Sequence, residues 1–317
     1  MKRIALLDDY QGVGLQSAPW QRLAGRAQVD AIREHIDEPP ALAARLAPYH
    51  VLVANRERTP IRADLIAALP NLALIVTFGQ RNAAIDVQAA AARGIPVCGT
   101  PGMGHPTAEL TWGLILSLAR HLPAEINAMR SGGWQRTVGI GLSGKTLGVL
   151  GLGKQGSAVA RIGVAFGMDV AVWSRSMTAE RAATVGARAA PFDELLQQSD
   201  IVSLHLPLNA GTRGLIGARE LGLLKPGALL VNTSRGPLVD EAALLDALRQ
   251  RRLSAALDVF DREPLPDDHP LRSLDNALLT PHLGYVIAEN YRGMFGGALE
   301  DIEAWLDGKP IRVIAPA

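Results

Sequence analysis

Short apolar runs recur along the whole chain, separated by stretches with helical periodicity. The first series comprises residues 4–7, 51–54, 72–76 and 95–98. The second comprises residues 146–150, 170–173, 201–204, 229–232, 255–259 and 277–280. Strands that alternate with helices form βαβ units, whose strands are parallel. We therefore predict an α/β fold with two doubly wound parallel sheets.

The two series of strands predict two domains, and a chain of 317 residues is long enough for both. A loop rich in Gly and Pro, residues 99–106, separates them and leads into a predicted helix over residues 107–122. A second long helix is predicted over residues 289–306. We expect the second domain to be an insertion, so that residues 1–100 with 286–317 form the first domain and 101–285 the second.

Composition excludes several classes of partner. A formal net charge of +1 gives no general attraction to nucleic acid or to an anionic membrane surface. The most apolar helix candidate is interrupted by Arg120 and His121, well short of the roughly 20 residues of a membrane span. Cys98 is the only cysteine, which excludes an internal disulfide and a multi-cysteine metal site. We expect a cytoplasmic protein without metal, nucleic-acid or membrane partners.

A glycine-rich loop follows the predicted strand 146–150 and opens a predicted helix over residues 155–166. In this context, glycines at the first, third and sixth positions form a dinucleotide fingerprint: the first allows a tight turn, the second lets backbone approach a pyrophosphate, and the third lets helix and strand pack closely. The helix N-terminus adds partial positive charge. The predicted cofactor-binding residues here are Gly151, Leu152, Gly153, Lys154, Gln155 and Gly156.

The end of the next strand predicts which cofactor is used. An acidic residue there would hydrogen-bond the ribose 2′-hydroxyl of NAD. This chain has Ser174 instead, followed by Arg175 and Ser176. With no carboxylate to repel a 2′-phosphate and an arginine to pair with it, NADP is slightly favoured over NAD.

Three motifs follow successive strands of the second series: NTSRG at 232–236, LDVFDREP at 257–264 and TPHLG at 280–284. Open α/β sheets bind ligands at this edge. With the glycine loop, these motifs resemble the D-isomer-specific 2-hydroxyacid dehydrogenase family, over nearly the whole chain. The resemblance implies a Rossmann dinucleotide-binding domain inserted into a flavodoxin-like substrate domain.

The resemblance also implies three catalytic residues: Arg235 as the substrate anchor, Glu263, and His282 as the acid/base. Reduction of a 2-oxo acid needs a proton donor and a cation that holds the carboxylate, which His282 and Arg235 can supply. A carboxylate beside the imidazole would favour its protonated form and hold one tautomer.

Other contacts follow from the same resemblance. Gln80 and Arg81 match a loop that binds the substrate carboxylate, although many relatives have glycine at the position of Arg81; Arg56 is a weaker candidate of the same kind. Thr111 is a weak candidate for a cofactor contact. Further expected cofactor contacts are Leu206, Pro207, Thr212, Thr233, Ser234, Arg235, Asp258, His282 and Gly284.

The implied activity is hydride transfer between NAD(P)H and a small 2-oxo acid, of the glyoxylate/hydroxypyruvate or the phosphoglycerate type, giving a D-2-hydroxy acid. Two alternatives stay open: a non-catalytic NAD(H)-sensing protein that resembles corepressors, and a phosphite-type dehydrogenase. A homodimer is also implied, with contacts through residues 107–122 and the loop around Trp134.

Overall fold

The structure is a computed structural model that describes residues 1–102 and 106–316. The chain divides into two compact units. Unit 1 comprises Met1–Met103 and Val286–Ala317, and unit 2 comprises Gly104–Tyr285. Residues 103–105, which belong to the predicted loop 99–106, lie outside the described residues.

Unit 1 contains a five-stranded parallel sheet. Its strands are β1 (Lys2–Leu6), β2 (Ala27–Ala31), β3 (Val51–Ala54), β4 (Leu74–Phe78) and β5 (Val97–Thr100). The order β2-β1-β3-β4-β5 is that of flavodoxin-like folds. The helices are α1 (Pro39–Leu46), α2 (Ala63–Ala68), α3 (Val87–Ala92) and, at the end of the chain, α11 (Ala288–Leu306).

The strand β2 was not predicted from the sequence. Its residues are AQVDA, with Gln28 and Asp30 between the apolar positions, so it lacks a continuous apolar run. As an edge strand it pairs only with β1 within the described sheet. An edge strand is covered on fewer sides than a central one, which explains the weak hydrophobic signal.

Unit 2 contains a seven-stranded parallel sheet in the order β12-β11-β10-β9-β6-β7-β8. The strands are β6 (Thr146–Leu150), β7 (Asp169–Trp173), β8 (Arg188–Ala189), β9 (Ile201–Leu204), β10 (Ala228–Asn232), β11 (Leu253–Leu257) and β12 (Ala277–Leu279). From β6, the strands β7 and β8 are added on one side and β9 to β12 on the other, so the strand order reverses between β6 and β9. Ligands of Rossmann folds bind at the carboxyl ends of the strands flanking such a switch point.

The helices of unit 2 cover both faces of its sheet. They are α4 (Pro106–Ala119), α5 (Leu122–Arg130), α6 (Lys154–Ala165), α7 (Ala179–Ala183), α8 (Phe192–Gln198), α9 (Ala218–Leu223) and α10 (Glu241–Arg249). The prediction of a single helix over residues 107–122 is wrong at its C-terminal end, because α4 ends at Ala119. His121 adopts a left-handed conformation with φ 51°, and a new helix begins at Leu122 with Pro123 in its first turn.

Two hydrophobic cores lie on opposite faces of the unit 2 sheet. Leu150 and Leu230 belong to one core, whereas the neighbouring residues Val149 and Val231 belong to the other. Successive side chains of a strand point to opposite faces, so strands that are apolar throughout require cover on both sides. This explains the continuous apolar runs in the sequence.

Cys98 is fully buried in β5 of unit 1. Burial raises the pKa of its thiol to about 12. Among the residues that the structure describes, no helix is both long and apolar enough to cross a lipid bilayer.

Candidate active site

The glycine loop forms a close-packed turn between β6 and α6. Gly151 has φ +99°, and a Cβ there would lie 2.5 Å from the carbonyl oxygen of His205. A Cβ on Gly156 would lie 1.9 Å from the carbonyl oxygen of Gly151. At Gly153, by contrast, a Cβ would have no atom within 4 Å. The outer glycines therefore allow the turn, and the middle one leaves room for a ligand beside the N-terminus of α6.

A cavity of about 300 Å³ lies beside this loop at the carboxyl ends of β6, β7 and β9. Its wall includes Gly151, Leu152 and Gly153 together with Ser174 and Arg175. The Ser174 hydroxyl is buried with no hydrogen-bond partner among the described residues. The side-chain carbonyl of Gln155, in the first turn of α6, is likewise without a partner. Orphaned polar atoms beside an open phosphate loop fit a polar ligand such as a dinucleotide.

The rim of the cavity carries positive charge. Arg175 is exposed, and a Cβ on Gly211 would lie 3.2 Å from its Nη1. Arg181, which the sequence analysis did not single out, also lines the cavity and donates from Nη2 to the carbonyl oxygen of Leu152 at 3.0 Å. Ser176 completes this side. The rim can therefore hold an anionic group.

Two further predicted contacts, Leu206 and Pro207, line the opposite wall after β9. Thr212 lies there too, but its hydroxyl donates to the carbonyl oxygen of Pro207 at 2.7 Å and accepts from the backbone N–H of Asn209 at 2.9 Å. This hydroxyl shapes the loop, which leaves little capacity for a ligand.

The Arg235 segment is held by local hydrogen bonds at the end of β10. Asn232 donates from Nδ2 to the carbonyl oxygen of Arg235 at 2.9 Å and accepts from the Ser234 N–H at 3.0 Å. The Ser234 hydroxyl donates to the carbonyl oxygen of Leu206 at 2.6 Å. A Cβ on Gly236 would lie 2.1 Å from the carbonyl carbon of Phe260, so the segment packs directly on the loop after β11.

Asp258 fixes the loop that carries His282. Its carboxylate accepts hydrogen bonds from the Thr280 hydroxyl at 2.6 Å and from the backbone N–H groups of Leu283 and Gly284 at 2.7 and 2.8 Å. Burial raises the pKa of Asp258, and these hydrogen bonds act in the opposite direction. The side chain therefore joins the ends of β11 and β12.

Glu263 and His282 form a direct pair. The Glu263 Oε2 lies 2.5 Å from His282 Nδ1, and Oε1 accepts the Phe260 N–H at 2.9 Å. His282 has φ +52°, and its ring meets the Tyr285 ring edge-on at 5.6 Å. The side chains of His282 and Glu263 are 16% and 24% exposed. The carboxylate orients the imidazole through Nδ1, which leaves Nε2 for a ligand.

Two threonines of α4 contribute contacts that the sequence analysis did not predict. Thr107 donates from its hydroxyl to the carbonyl oxygen of Gly284 at 2.9 Å. The hydroxyls of Thr111 and Thr233 are 2.8 Å apart. The helix thus supports both the end of β10 and the loop after β12. Two threonines four residues apart on one helical face are the only sequence signal for this.

The candidate substrate loop belongs to unit 1 and follows β4. Gln80 is exposed, but its Nε2 donates back to the carbonyl oxygen of Gly99 at 2.8 Å. Arg56 donates from Nη1 to the carbonyl oxygen of Phe78 at 3.2 Å and therefore packs on the loop itself. Arg81 is exposed.

Asn82, which was not singled out from the sequence, organises the same loop. It donates from Nδ2 to the carbonyl oxygen of Arg56 at 2.6 Å and to the Thr77 hydroxyl at 2.8 Å. Its side-chain oxygen accepts the Ala84 N–H at 2.8 Å.

The chain is similar to known proteins of one family. Residues 112–284 match the D-isomer specific 2-hydroxyacid dehydrogenase, NAD binding domain. A glyoxylate reductase of Aeropyrum pernix is 43% identical over 260 residues, covering 78% of this chain and 78% of the relative. A D-3-phosphoglycerate dehydrogenase of Archaeoglobus fulgidus is 38% identical over 84% of this chain, which spans 52% of that relative.

Among solved structures, a phosphoglycerate oxidoreductase from Vibrio cholerae superposes with a TM-score of 0.92 at 39% identity. The superposition covers 97% of this chain and 100% of the other. The fold is thus a Rossmann domain inserted into a flavodoxin-like domain. The chain belongs to the D-isomer-specific 2-hydroxyacid dehydrogenase family.

Proposed function

We propose that the protein reduces a small 2-oxo acid to the D-2-hydroxy acid with a nicotinamide dinucleotide. The observation that carries the proposal is the His282–Glu263 pair, 2.5 Å apart in the same unit as the glycine loop and the Arg235 segment. A protein that only senses the dinucleotide would have no need of an oriented acid/base pair. We therefore favour catalysis over the sensor alternative.

In the proposed mechanism, unit 2 supplies the groups that act on the carbonyl. Arg235 binds the substrate carboxylate through its planar guanidinium. His282, protonated at Nε2, donates its proton to the carbonyl oxygen as negative charge develops there, and Glu263 stabilises the imidazolium through Nδ1. When bound, the nicotinamide supplies or accepts the hydride. In the reverse direction neutral His282 takes the hydroxyl proton.

Asp258 has a positioning role in this proposal. Because it accepts the N–H groups on the C-terminal side of His282, it fixes the backbone from which the imidazole projects. The glycine loop, with Lys154 and Gln155 in the first turn of α6, would bind the pyrophosphate. Thr233, Ser234 and Gly284 would line the nicotinamide end.

We propose that NADPH is slightly preferred over NADH. The support is the orphaned Ser174 hydroxyl together with the exposed Arg175 on the rim of the cavity. Arg175→Ala should weaken NADPH binding, measured by nicotinamide fluorescence, and leave NADH binding nearly unchanged. The proposal would be refuted if the wild type preferred NADH and Arg175→Ala bound NADPH as tightly as the wild type does.

We propose that Gln80 and Arg81 of the unit 1 loop also bind the substrate, with Arg56 supporting the loop. Arg81 would add a positive charge for a substrate with a second anionic group, such as a phosphate or a carboxylate.

The test of the whole function is turnover of a panel of 2-oxo acids, namely glyoxylate, hydroxypyruvate, pyruvate, phenylpyruvate and oxaloacetate, with NADH and NADPH. No turnover of any 2-oxo acid would refute it.

We also propose a homodimer formed through α5 and the loop after it. Ile126, Met129 and Trp134 are 49%, 60% and 73% exposed, although all are large and apolar. A contiguous exposed apolar surface of this kind is typical of a protein interface. Light scattering of the wild type and of Met129→Asp tests this: the wild type should be a dimer and the variant a monomer.

A further inference from the structure

The chain after α11 runs back along the outer edge of β5 in unit 1. The N–H of Gly99 donates to the carbonyl oxygen of Arg312 at 3.0 Å, and the N–H of Ile314 donates to that of Val97 at 2.8 Å. Cys98 and Val313 form an antiparallel bridge. We call residues 311–314 the edge segment. Because β5 is the last strand of the described sheet, the edge segment fixes a strand that would otherwise be open on that side.

Arg312 ties the edge segment to α11. It donates from Nε to Asp301 at 2.9 Å, from Nη1 to Glu300 at 2.9 Å and from Nη2 to the carbonyl oxygen of Gly297 at 2.8 Å. Asp301 is fully buried, and burial raises the pKa of its carboxyl to about 6. The Arg312 guanidinium lowers that pKa against the effect of burial, so it compensates the charge of the Asp301 carboxylate. All three guanidinium nitrogens of Arg312 hold the segment in place.

The candidate substrate loop rests on the same end of β5. Gln80 donates to the carbonyl oxygen of Gly99, and the N–H of Gly79 donates to the Thr100 hydroxyl at 3.3 Å. A Cβ on Gly99 would lie 2.7 Å from the Gly79 carbonyl oxygen and 3.2 Å from Cδ1 of Ile314. Gly99 is thus enclosed between the loop and the edge segment, so a shift of one must move the other.

We propose that Arg312 is a positioning residue for substrate binding, acting through the edge segment and Gly99 on the loop at Gly79 and Gln80. The inference rests on the proposed substrate role of that loop. Loosening the edge segment should weaken substrate binding. It should leave the chemical step and cofactor binding largely unchanged, because His282, Arg235 and the glycine loop belong to unit 2.

The first test does not depend on activity. Hydrogen exchange of the backbone amides of residues 77–84, followed by mass spectrometry, compares the wild type with Arg312→Gln. The variant should lose protection in this loop, and the control Arg26→Ala should not. Arg26 pairs with Asp307 at 2.7 Å just beyond the end of α11, so this control removes an exposed ion pair elsewhere in unit 1. Unchanged protection of the loop in Arg312→Gln would overturn the proposal.

The second test separates KM from kcat with the best 2-oxo acid of the panel. Arg312→Gln should raise KM about 5-fold, with kcat within about twofold of the wild type and cofactor affinity unchanged in nicotinamide fluorescence. Gln80→Ala removes the loop side of the same connection and should also raise KM. If both act through Gly99, the double variant should show less than the product of the two effects.

The outcomes separate the two hypotheses. If Gln80→Ala leaves KM unchanged, the loop does not bind substrate and the proposed function of the loop is wrong. If Gln80→Ala raises KM while Arg312→Gln does not, or if the two effects multiply, Arg312 does not position the loop. Should Arg312→Gln unfold, Gly99→Ala pushes the loop and the edge segment apart directly and must reproduce the rise in KM.

Discussion

The two candidate ligand-binding regions of this protein are built differently. In unit 2, the residues proposed for chemistry follow the adjacent strands β10, β11 and β12 and are fixed by buried groups, of which Asp258 is the clearest example. In unit 1, hydrogen bonds of the buried Asn82 also hold the candidate substrate loop, but Gln80 and Arg81 present exposed side chains from it. The groups proposed for chemistry are therefore less exposed than the side chains proposed to contact the rest of the substrate.

This difference predicts different consequences of substitution. A reacting group needs a fixed geometry, since a small displacement costs much of the rate. A loop that selects the remainder of the substrate can vary with less loss. Changes in unit 2 should therefore impair turnover of every substrate, and changes in the unit 1 loop should alter which substrate is preferred.

The largest effect is expected for His282→Ala. Without the proton donor, turnover should fall roughly 10²–10⁴-fold, the usual scale of general acid/base catalysis. Cofactor affinity, measured by nicotinamide fluorescence, should be retained because His282 lies outside the phosphate loop. Turnover close to that of the wild type would break the comparison at its strongest point.

Arg235→Ala should lower kcat/KM by roughly 10²–10³-fold for every 2-oxo acid, because the substrate carboxylate would lose its charged partner. Arg235→Lys should remain impaired, since an ammonium group cannot reproduce the two parallel hydrogen bonds of a guanidinium. Steady-state kinetics across the substrate panel provide the measurement. A loss confined to one substrate would place Arg235 with the selective residues instead.

Glu263→Gln should lower turnover less than His282→Ala does, because the proton donor is kept and only the group that orients it is changed. The Glu263 carboxylate lies 2.5 Å from Nδ1 and can only accept a hydrogen bond there, whereas a glutamine amide can donate to Nδ1 and favour the wrong tautomer. Single-turnover reduction by the wild type and the variant, measured in parallel, gives the loss. Equal rates would contradict the proposed pairing.

The smallest effect is expected for Arg81→Gly, which removes the exposed guanidinium from the candidate substrate loop. An exposed ion pair contributes about 0.2–1 kcal/mol, so KM for a doubly anionic substrate should rise less than about 5-fold. KM for glyoxylate, which has one carboxylate, should not change. An equal effect on both substrates would argue that Arg81 shapes the loop rather than contacting the substrate.

The sequence predicts the central strands of both units better than the edge strands, for a physical reason. The central strands of unit 2 are buried on both faces and are therefore apolar throughout, and the glycine loop has few alternatives because Gly151 and Gly156 leave no space for a side chain. The short edge strand β8 and the edge strand β2 lack such a pattern. The break at His121 was likewise missed, although Pro123 signals a new helix start.

At the candidate site, the sequence predicts residue types but not their partners. The resemblance implied that Asp258 contacts the cofactor. Two of its three observed partners, the N–H groups of Leu283 and Gly284, are backbone groups that carry no sequence signal. The support of Gln80 by Gly99 is similar, because it joins residues far apart in sequence through a backbone carbonyl. Contacts of this kind become visible only once the strands are placed side by side.

The burial of Cys98 gives unit 1 a built-in reporter of its own stability. Cys98 is the only thiol of the chain, is fully buried in β5 and has a pKa of about 12, so a thiol reagent can reach and react with it only when this part of the sheet opens. In the limit of fast reclosing, the labelling rate gives the free energy of that opening. Since Cys98 adjoins Gly99, ligands that stabilise the neighbouring loop should slow its labelling, so that binding can be followed without turnover.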